Sequence, residues 1–313
     1  MPGALQVYSA SAPSPGAQWA PVLPDELDVA LTLRSGQCFR WRQMPVGEWR
    51  GAVGGRVLRL WPADGGFWWE TVPSPPDWEL VRRYFALDVD LASLQRAWIR
   101  AEPRVADAVA RWPGLRVLRQ EAVEVLFAFL CASCNTMTKI GRSVNALAAR
   151  YGSIVGVVEG EPVHGFPEPE LLMRAAEADL RADLWGFRAP RVALTARHIV
   201  ARGPGWLESL RSAALGEARS ELMSLFGVGP KIADCVCLFG LWHDSAAPID
   251  THVRRAAARL GGPELSTAGY EACAAALRER FGDTAGWAQQ YLFVDEAARS
   301  RRRALPAPHD TVG

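Results

Sequence analysis

Between two apolar, helix-patterned runs the chain turns abruptly at Leu225-Phe226-Gly227-Val228-Gly229-Pro230-Lys231-Ile232-Ala233. That segment limits the fold more than any other. Gly227 and Gly229 permit a tight turn with close backbone approach. Pro230 suits the first turn of a helix, where its missing N–H costs nothing. The reading is two helices, 218–225 and 230–241, joined by a short hairpin. The N–H groups that open the second helix, with the positive end of its dipole, favour an anion such as a phosphate.

A helix-hairpin-helix of this kind grips a nucleic-acid backbone without reading bases. Net charge is only +1, so the polycation class is excluded and any nucleic-acid surface is a local patch. Of 35 Lys plus Arg, only Lys139 and Lys231 are lysines, which leaves 33 arginines. Arginine keeps its proton near neutrality and cannot replace lysine as an amine nucleophile. Lys231 sits at the start of its helix, where the dipole and partial burial both disfavour an ammonium. A neutral amine there can attack a sugar carbon and form a Schiff base. The alternative is a phosphate-pairing lysine, a role that arginine fills equally well. Nineteen residues on, Pro248-Ile249-Asp250-Thr251-His252-Val253-Arg254-Arg255 begins another helix. Asp250 reads as its N-cap. Beside Lys231 it gains a second reading, as a carboxylate that stabilises a developing sugar cation. His252 either donates to a phosphate or faces solvent.

The 313 residues suffice for two domains. Hydrophobic residues at 49% and charged residues at 22% are ordinary for a soluble globular enzyme. Residues 1–20 read as a loose leader without a secretion signal. In 46–73, Gly54-Gly55 and Asp64-Gly65-Gly66 separate Val57–Trp61 from Phe67–Val72, a pattern of antiparallel hairpins or else an irregular Trp-rich loop. Helical periodicity starts at Asp77, and Pro113-Gly114 breaks the chain. Helices are expected at 120–131, 136–150, 168–182, 190–201, 218–225, 230–241, 251–260, 268–280 and 285–299. The expected class is α+β: a β-rich domain over 1–115 and a helical domain over 116–313. Cys131-x-x-Cys134 lacks the second ligand pair of a metal site, so buried thiols are the default. No run reaches membrane-spanning length. The expected setting is intracellular, in the compartment that holds DNA. The basic run Arg299 to Arg303 either touches DNA or is a solvated tail.

Taken in order, these segments resemble the helix-hairpin-helix DNA glycosylase superfamily, and within it the 8-oxoguanine DNA glycosylase/lyases. The resemblance covers roughly residues 27–300. It is carried by Ser35-Gly36-Gln37-Cys38-Phe39-Arg40-Trp41, Tyr84 to Val89, Cys131 to Ile140, Leu184 to Arg191, the hairpin with Lys231, the Asp250 helix start, and Gly286-Trp287-Ala288-Gln289. It implies a TATA-binding-protein-like antiparallel domain ahead of the helices, no cofactor, and double-stranded DNA carrying 8-oxoguanine as partner. A monomer is the default. The Gly36 carbonyl would detect the hydrogen that oxidation places on guanine N7. Gln289 and Phe293, at i and i+4, would pair with and stack on the flipped base. Cys235 would cover its other side. An ordinary loop glycine, and core packing for Phe293 and Cys235, are the bland alternatives.

Where the family carries consecutive asparagines, this chain has Ser133-Cys134-Asn135-Thr136 and keeps only Asn135. Lys139 replaces an arginine that reads the widowed cytosine, and it lacks the planar fork for bidentate pairing. Phe187 replaces a wedging tyrosine, with Arg188 following it toward the orphan base. The carbonyls of Met223, Leu225 and Val228 are candidates for a monovalent cation. An alkylated-purine glycosylase of the same superfamily is an alternative, although those typically lack the lysine. A non-catalytic helix-hairpin-helix DNA-binding protein is another; the Lys231 and Asp250 pair counts against it.

Overall fold

The computed structural model describes residues 13–132, 135–261 and 267–304. Its N-terminal part is an antiparallel sheet of β1 (Gln18–Ala20), β2 (Arg42–Gln43), β3 (Trp49–Val53), β4 (Arg56–Ala63) and β5 (Gly66–Val72), in the order β1-β5-β4-β3-β2. Gly54 and Gly55 join β3 to β4 with φ of 56° and 72°. That conformation matches strand twist and favours glycine at both positions. Trp49, Leu60 and Trp69 stand side by side across three strands. They bury against α1 (Val29–Arg34) and α2 (Trp78–Tyr84), which contribute Val29, Leu33, Val81 and Tyr84 to the same core. The Trp-rich segment is therefore sheet and not loop.

Three strands depart from the sequence reading. Part of the expected leader is β1, whose Gln18, Trp19 and Ala20 pair with Trp69, Trp68 and Phe67. The Trp19 and Trp68 rings meet edge-on at 5.3 Å, which seats this short strand on the sheet edge. A second hairpin, β6 (Ile154–Val158) with β7 (Glu161–His164), interrupts the helices. Its turn residue Glu159 reaches back to Arg50 at 3.1 Å, so it is held by the first sheet.

The helical part contains α3 (Leu91–Ala101), α4 (Ala106–Arg111), α5 (Ala122–Ala132), α6 (Met137–Tyr151), α7 (Pro169–Leu172), α8 (Glu177–Ala182), α9 (Ala189–Arg202), α10 (Trp206–Ser209), α11 (Leu215–Met223), α12 (Pro230–Phe239), α13 (Thr251–Gly261), α14 (Tyr270–Phe281) and α15 (Ala285–Ala304). The helix expected over 168–182 is broken into α7 and α8, each burying its own leucine, Leu172 and Leu180. One apolar core joins these helices, and it includes Leu91, Trp98 and Val109 from ahead of residue 115. Leu118, from beyond that point, packs instead with the sheet. No helix among the described residues is long and apolar enough to cross a membrane.

Candidate active site

The hairpin forms as its glycines require. Gly227 has φ +81°, a region that costs other residues about 1–2 kcal/mol. A Cβ there would also lie 2.9 Å from Arg191 Cδ. Gly229 is the N-cap of α12, with ordinary extended backbone and open space in front of it. Val228 N–H donates to the Leu225 carbonyl at 3.2 Å and closes the turn. Of the three candidate cation carbonyls, Leu225 thus already accepts one hydrogen bond, with Met223 and Val228 at either side of it in sequence.

Lys231 and Cys235 share a face of α12, one turn apart. The lysine stem is half-buried and its Nζ lies 4.5 Å from the centroid of the Phe129 ring. Burial pushes the Cys235 thiol up to about 11, against the opposing pull of the Lys231 amine beside it. Cys235 is therefore a neutral wall near pH 7 and no rival nucleophile. Asp250 is the expected N-cap: its Oδ1 accepts the Val253 N–H at 2.8 Å. No hydrogen bond within the described residues engages its other oxygen.

α15 supplies Gln289, Gln290 and Phe293. It docks on the loop that leads to Asp250: Gly286 leaves no room for a Cβ, which would sit 2.3 Å from the Ala246 carbonyl oxygen, and Trp287 Nε1 donates to Asp244 at 2.9 Å. Gln289 is 3% exposed, and its Oε1 is buried without a hydrogen-bond partner. An orphaned buried acceptor costs about 1–3 kcal/mol, which a bound donor would recover. His252 has a buried Nδ1 in the same state, and its ring stands edge-on to Phe293 at 5.8 Å.

These groups converge. Gly36, Phe129, Asn135, Lys231, Cys235, Asp250, Gln289 and Phe293 line one cavity of about 160 Å³. Larger clefts lie beside Trp41 and Trp242, about 270 Å³, and between α2 and α3, about 560 Å³. Neither collects the amine and Asp250, so chemistry and not size selects the smaller one. Its volume is below that of sites for drug-sized ligands and fits a single small ring system. Gly36 has φ +85°, and a Cβ on it would lie 3.2 Å from Phe293 Cε1. Asn135 is turned inward, its Nδ2 donating to the Cys131 carbonyl at 3.2 Å. Ser133 and Cys134, the rest of the expected gap-filling loop, lie outside the described residues.

Beyond the cavity, Lys139 is exposed on the first turn of α6, which Thr136 caps. Phe187 is 59% exposed, as a wedge needs to be. Arg188 is buried at 6%, its guanidinium 4.2 Å from the Phe187 centroid. It therefore supports Phe187 from below and is not presented to solvent.

Sequence reading missed the residues that hold Gly36 in place. Gln290 Nε2 donates to the Ser35 carbonyl at 3.0 Å. Gln37 Nε2 donates to Ser35 Oγ and to the Arg116 carbonyl, both at 2.8 Å, while its Oε1 accepts the Leu118 N–H at 2.7 Å. The available signal was an uncharged polar pair, Gln289-Gln290, inside an apolar helix.

Residues 21–126 match the family model described as 8-oxoguanine DNA glycosylase, N-terminal domain. The N-glycosylase/DNA lyase OGG1 of Arabidopsis thaliana is 34% identical over 284 residues, covering 87% of this chain and 78% of that one. The chain belongs to the 8-oxoguanine DNA glycosylase/lyase family. The N-glycosylase/DNA lyase of Saccharomyces cerevisiae is 36% identical, over 69% of this chain and 65% of its own length. Among solved structures, the Clostridium acetobutylicum 8-oxoguanine glycosylase/lyase, in complex with double-stranded DNA containing cytosine opposite 8-oxoG, superposes with a TM-score of 0.80 at 28% identity. That match covers 88% of this chain and 93% of that one. The antiparallel sheet followed by a helical body with a hairpin is thus the family's architecture.

Proposed function

We propose that this protein is a bifunctional DNA glycosylase/lyase that flips 8-oxoguanine out of duplex DNA, excises it, and nicks the strand. The observation that carries this is the meeting of an amine, a carboxylate and a buried, unpartnered amide oxygen in one ring-sized cavity.

Lys231 Nζ attacks the sugar C1′ while the C1′–N9 bond breaks, and the base leaves with the electron pair and takes up a proton. As the base departs, C1′ becomes oxocarbenium-like, and the Asp250 carboxylate stabilises that charge. Loss of a proton from Nζ and opening of the sugar ring give a C1′=Nζ Schiff base. Removal of a C2′ proton then expels the 3′ phosphate, which is the β-elimination. Gln289 pairs with the edge of the flipped base, Phe293 stacks on one side and Cys235 covers the other. The Gly36 carbonyl accepts the N7 hydrogen that only the oxidised base carries. His252 and the N–H groups around Gly227 and Gly229 hold phosphates. Asn135, Lys139 and Phe187 manage the gap and the widowed base, with Arg188 backing Phe187 from below. The reading takes the protein as a monomer acting where DNA is held.

The test is incubation with duplexes carrying 8-oxoguanine opposite each base, with borohydride present. A covalent protein–DNA adduct and released 8-oxoguanine are expected. Absence of both on all four duplexes would overturn the reading.

A further inference from the structure

Lys231 and Asp250 sit on separate elements, α12 and the segment that enters α13, and nothing local fixes their separation. A buried relay does. The N–H of Ile249, the residue just before Asp250, donates to Tyr270 Oη at 3.2 Å. Tyr270 in turn donates to Asp234 Oδ2 at 2.6 Å. Asp234 lies on α12, three residues after Lys231, and is completely buried. Arg219 of α11 lies 2.8 Å from its other oxygen, an ion pair without hydrogen-bond alignment. Arg219 also donates to Glu271 at 2.7 Å.

A buried carboxylate is costly, and a well-packed apolar residue often serves stability as well or better. Here the cost falls one turn from the nucleophile, and the chain of bonds ends on the backbone beside the carboxylate it works with. From this we infer that Tyr270 and Asp234 are positioning residues that set Asp250 at its working distance from Lys231. The inference rests on the roles given to Lys231 and Asp250 above. It carries a specific consequence. Base departure needs Asp250 for the sugar cation, whereas an abasic site has no base to lose and needs only the amine to form a Schiff base. Misplacing Asp250 therefore slows excision more than it slows trapping on abasic DNA.

Tyr270→Phe removes the relay with one oxygen atom, and Asp234→Asn is a second variant that keeps an acceptor for the tyrosine. Three quantities are compared with wild type: single-turnover excision of 8-oxoguanine at saturating protein, borohydride trapping on a duplex with a preformed abasic site, and affinity for a tetrahydrofuran duplex. Tyr270→Phe is expected to lower excision about tenfold, with trapping and affinity within about twofold. Asp234→Asn should give the same split with a smaller loss. A merely structural role reduces the active fraction and lowers excision and trapping by one common factor; that result, or unchanged excision in both variants, overturns the inference. Wild-type protein that neither excises nor traps would instead overturn the proposed function.

Discussion

The Lys231 amine rests over the face of Phe129, its nitrogen 4.5 Å from the ring centroid. An ammonium in that position gains about 0.5–2 kcal/mol from the ring quadrupole. The ring also fixes the direction of a side chain that would otherwise sample many rotamers. The proposed nucleophile is held from beneath and from the side, by Phe129 and by the stem's own burial, before any substrate arrives.

Lys231→Gln keeps most of the stem and its packing on Phe129 but deletes the amine. Excision and borohydride adduct formation are expected to disappear, while affinity for a tetrahydrofuran duplex stays within about threefold, since the amine points into the base cavity and the backbone is gripped by other groups. An adduct formed by this variant would assign the Schiff base to another group.

Asp250→Asn retains the cap, because asparagine accepts the Val253 N–H as well as aspartate does. The helix should survive, with stability changed by less than about 1 kcal/mol. Excision should fall by about a hundredfold or more, the scale of losing one preorganised electrostatic group. Near-wild-type excision would reduce Asp250 to a capping residue.

Gln290→Leu leaves the Ser35 carbonyl without its buried donor and loosens the turn that carries Gly36. Losing such a bond costs about 1–3 kcal/mol. Discrimination between 8-oxoguanine and guanine should narrow by about tenfold or more, with trapping on abasic DNA unaffected. Equal losses on lesion and abasic duplexes would point to general damage to the fold.

Lys139 is exposed and has no salt bridge among the described residues, and the acid Glu296, its alternative partner, pairs with Arg259. If the lysine reads the orphan base, its single ammonium discriminates less sharply than a guanidinium fork. Lys139→Arg should widen the preference for cytosine by about tenfold, the worth of a good bidentate contact. Single-turnover rates opposite C, T, G and A decide this; parallel changes on all four mean a phosphate contact only.

Alkaline stability follows from the buried thiols. Burial moves Cys235 from its ordinary 9.0 to about 11, and raises Cys38 and Cys237 as well. Above pH 9 the unfolded chain ionises these thiols while the folded one keeps them protonated. Their stabilisation is complete below pH 9 and is lost as pH rises, for Cys235 between about 9 and 11. The slope approaches about 1.4 kcal/mol per pH unit for each such thiol. Urea unfolding at pH 8, 9, 10 and 10.5 measures it, and a flat profile would contradict the burial.

What was legible in the sequence was local. The Gly227–Lys231 turn, the Asp250 cap and the i, i+4 pairs Lys231–Cys235 and Gln289–Phe293 each follow from residue spacing along one helix or turn. What was hidden depends on pairing across the chain. Gln290 and Ser35 are 255 residues apart, and Tyr270 and Asp234 are 36 apart. Strand β1 shows only as Trp19 in a plain leader, because its reason to exist is the edge of β5. Phe129 looks like any other residue of an almost wholly buried helix; only the folded chain reveals that one of its faces carries the amine.

The group assigned to tell oxidised from normal guanine is a main-chain carbonyl, at Gly36. Every residue type has one, so no point substitution can delete it. Drift in this readout can then come only through what holds the turn: Gln290, Gln37, or any side chain added at position 36 that shoulders Phe293 aside. Lineages of this enzyme can therefore lose fidelity while keeping an intact nucleophile, leaving a cutter that still cleaves but no longer chooses.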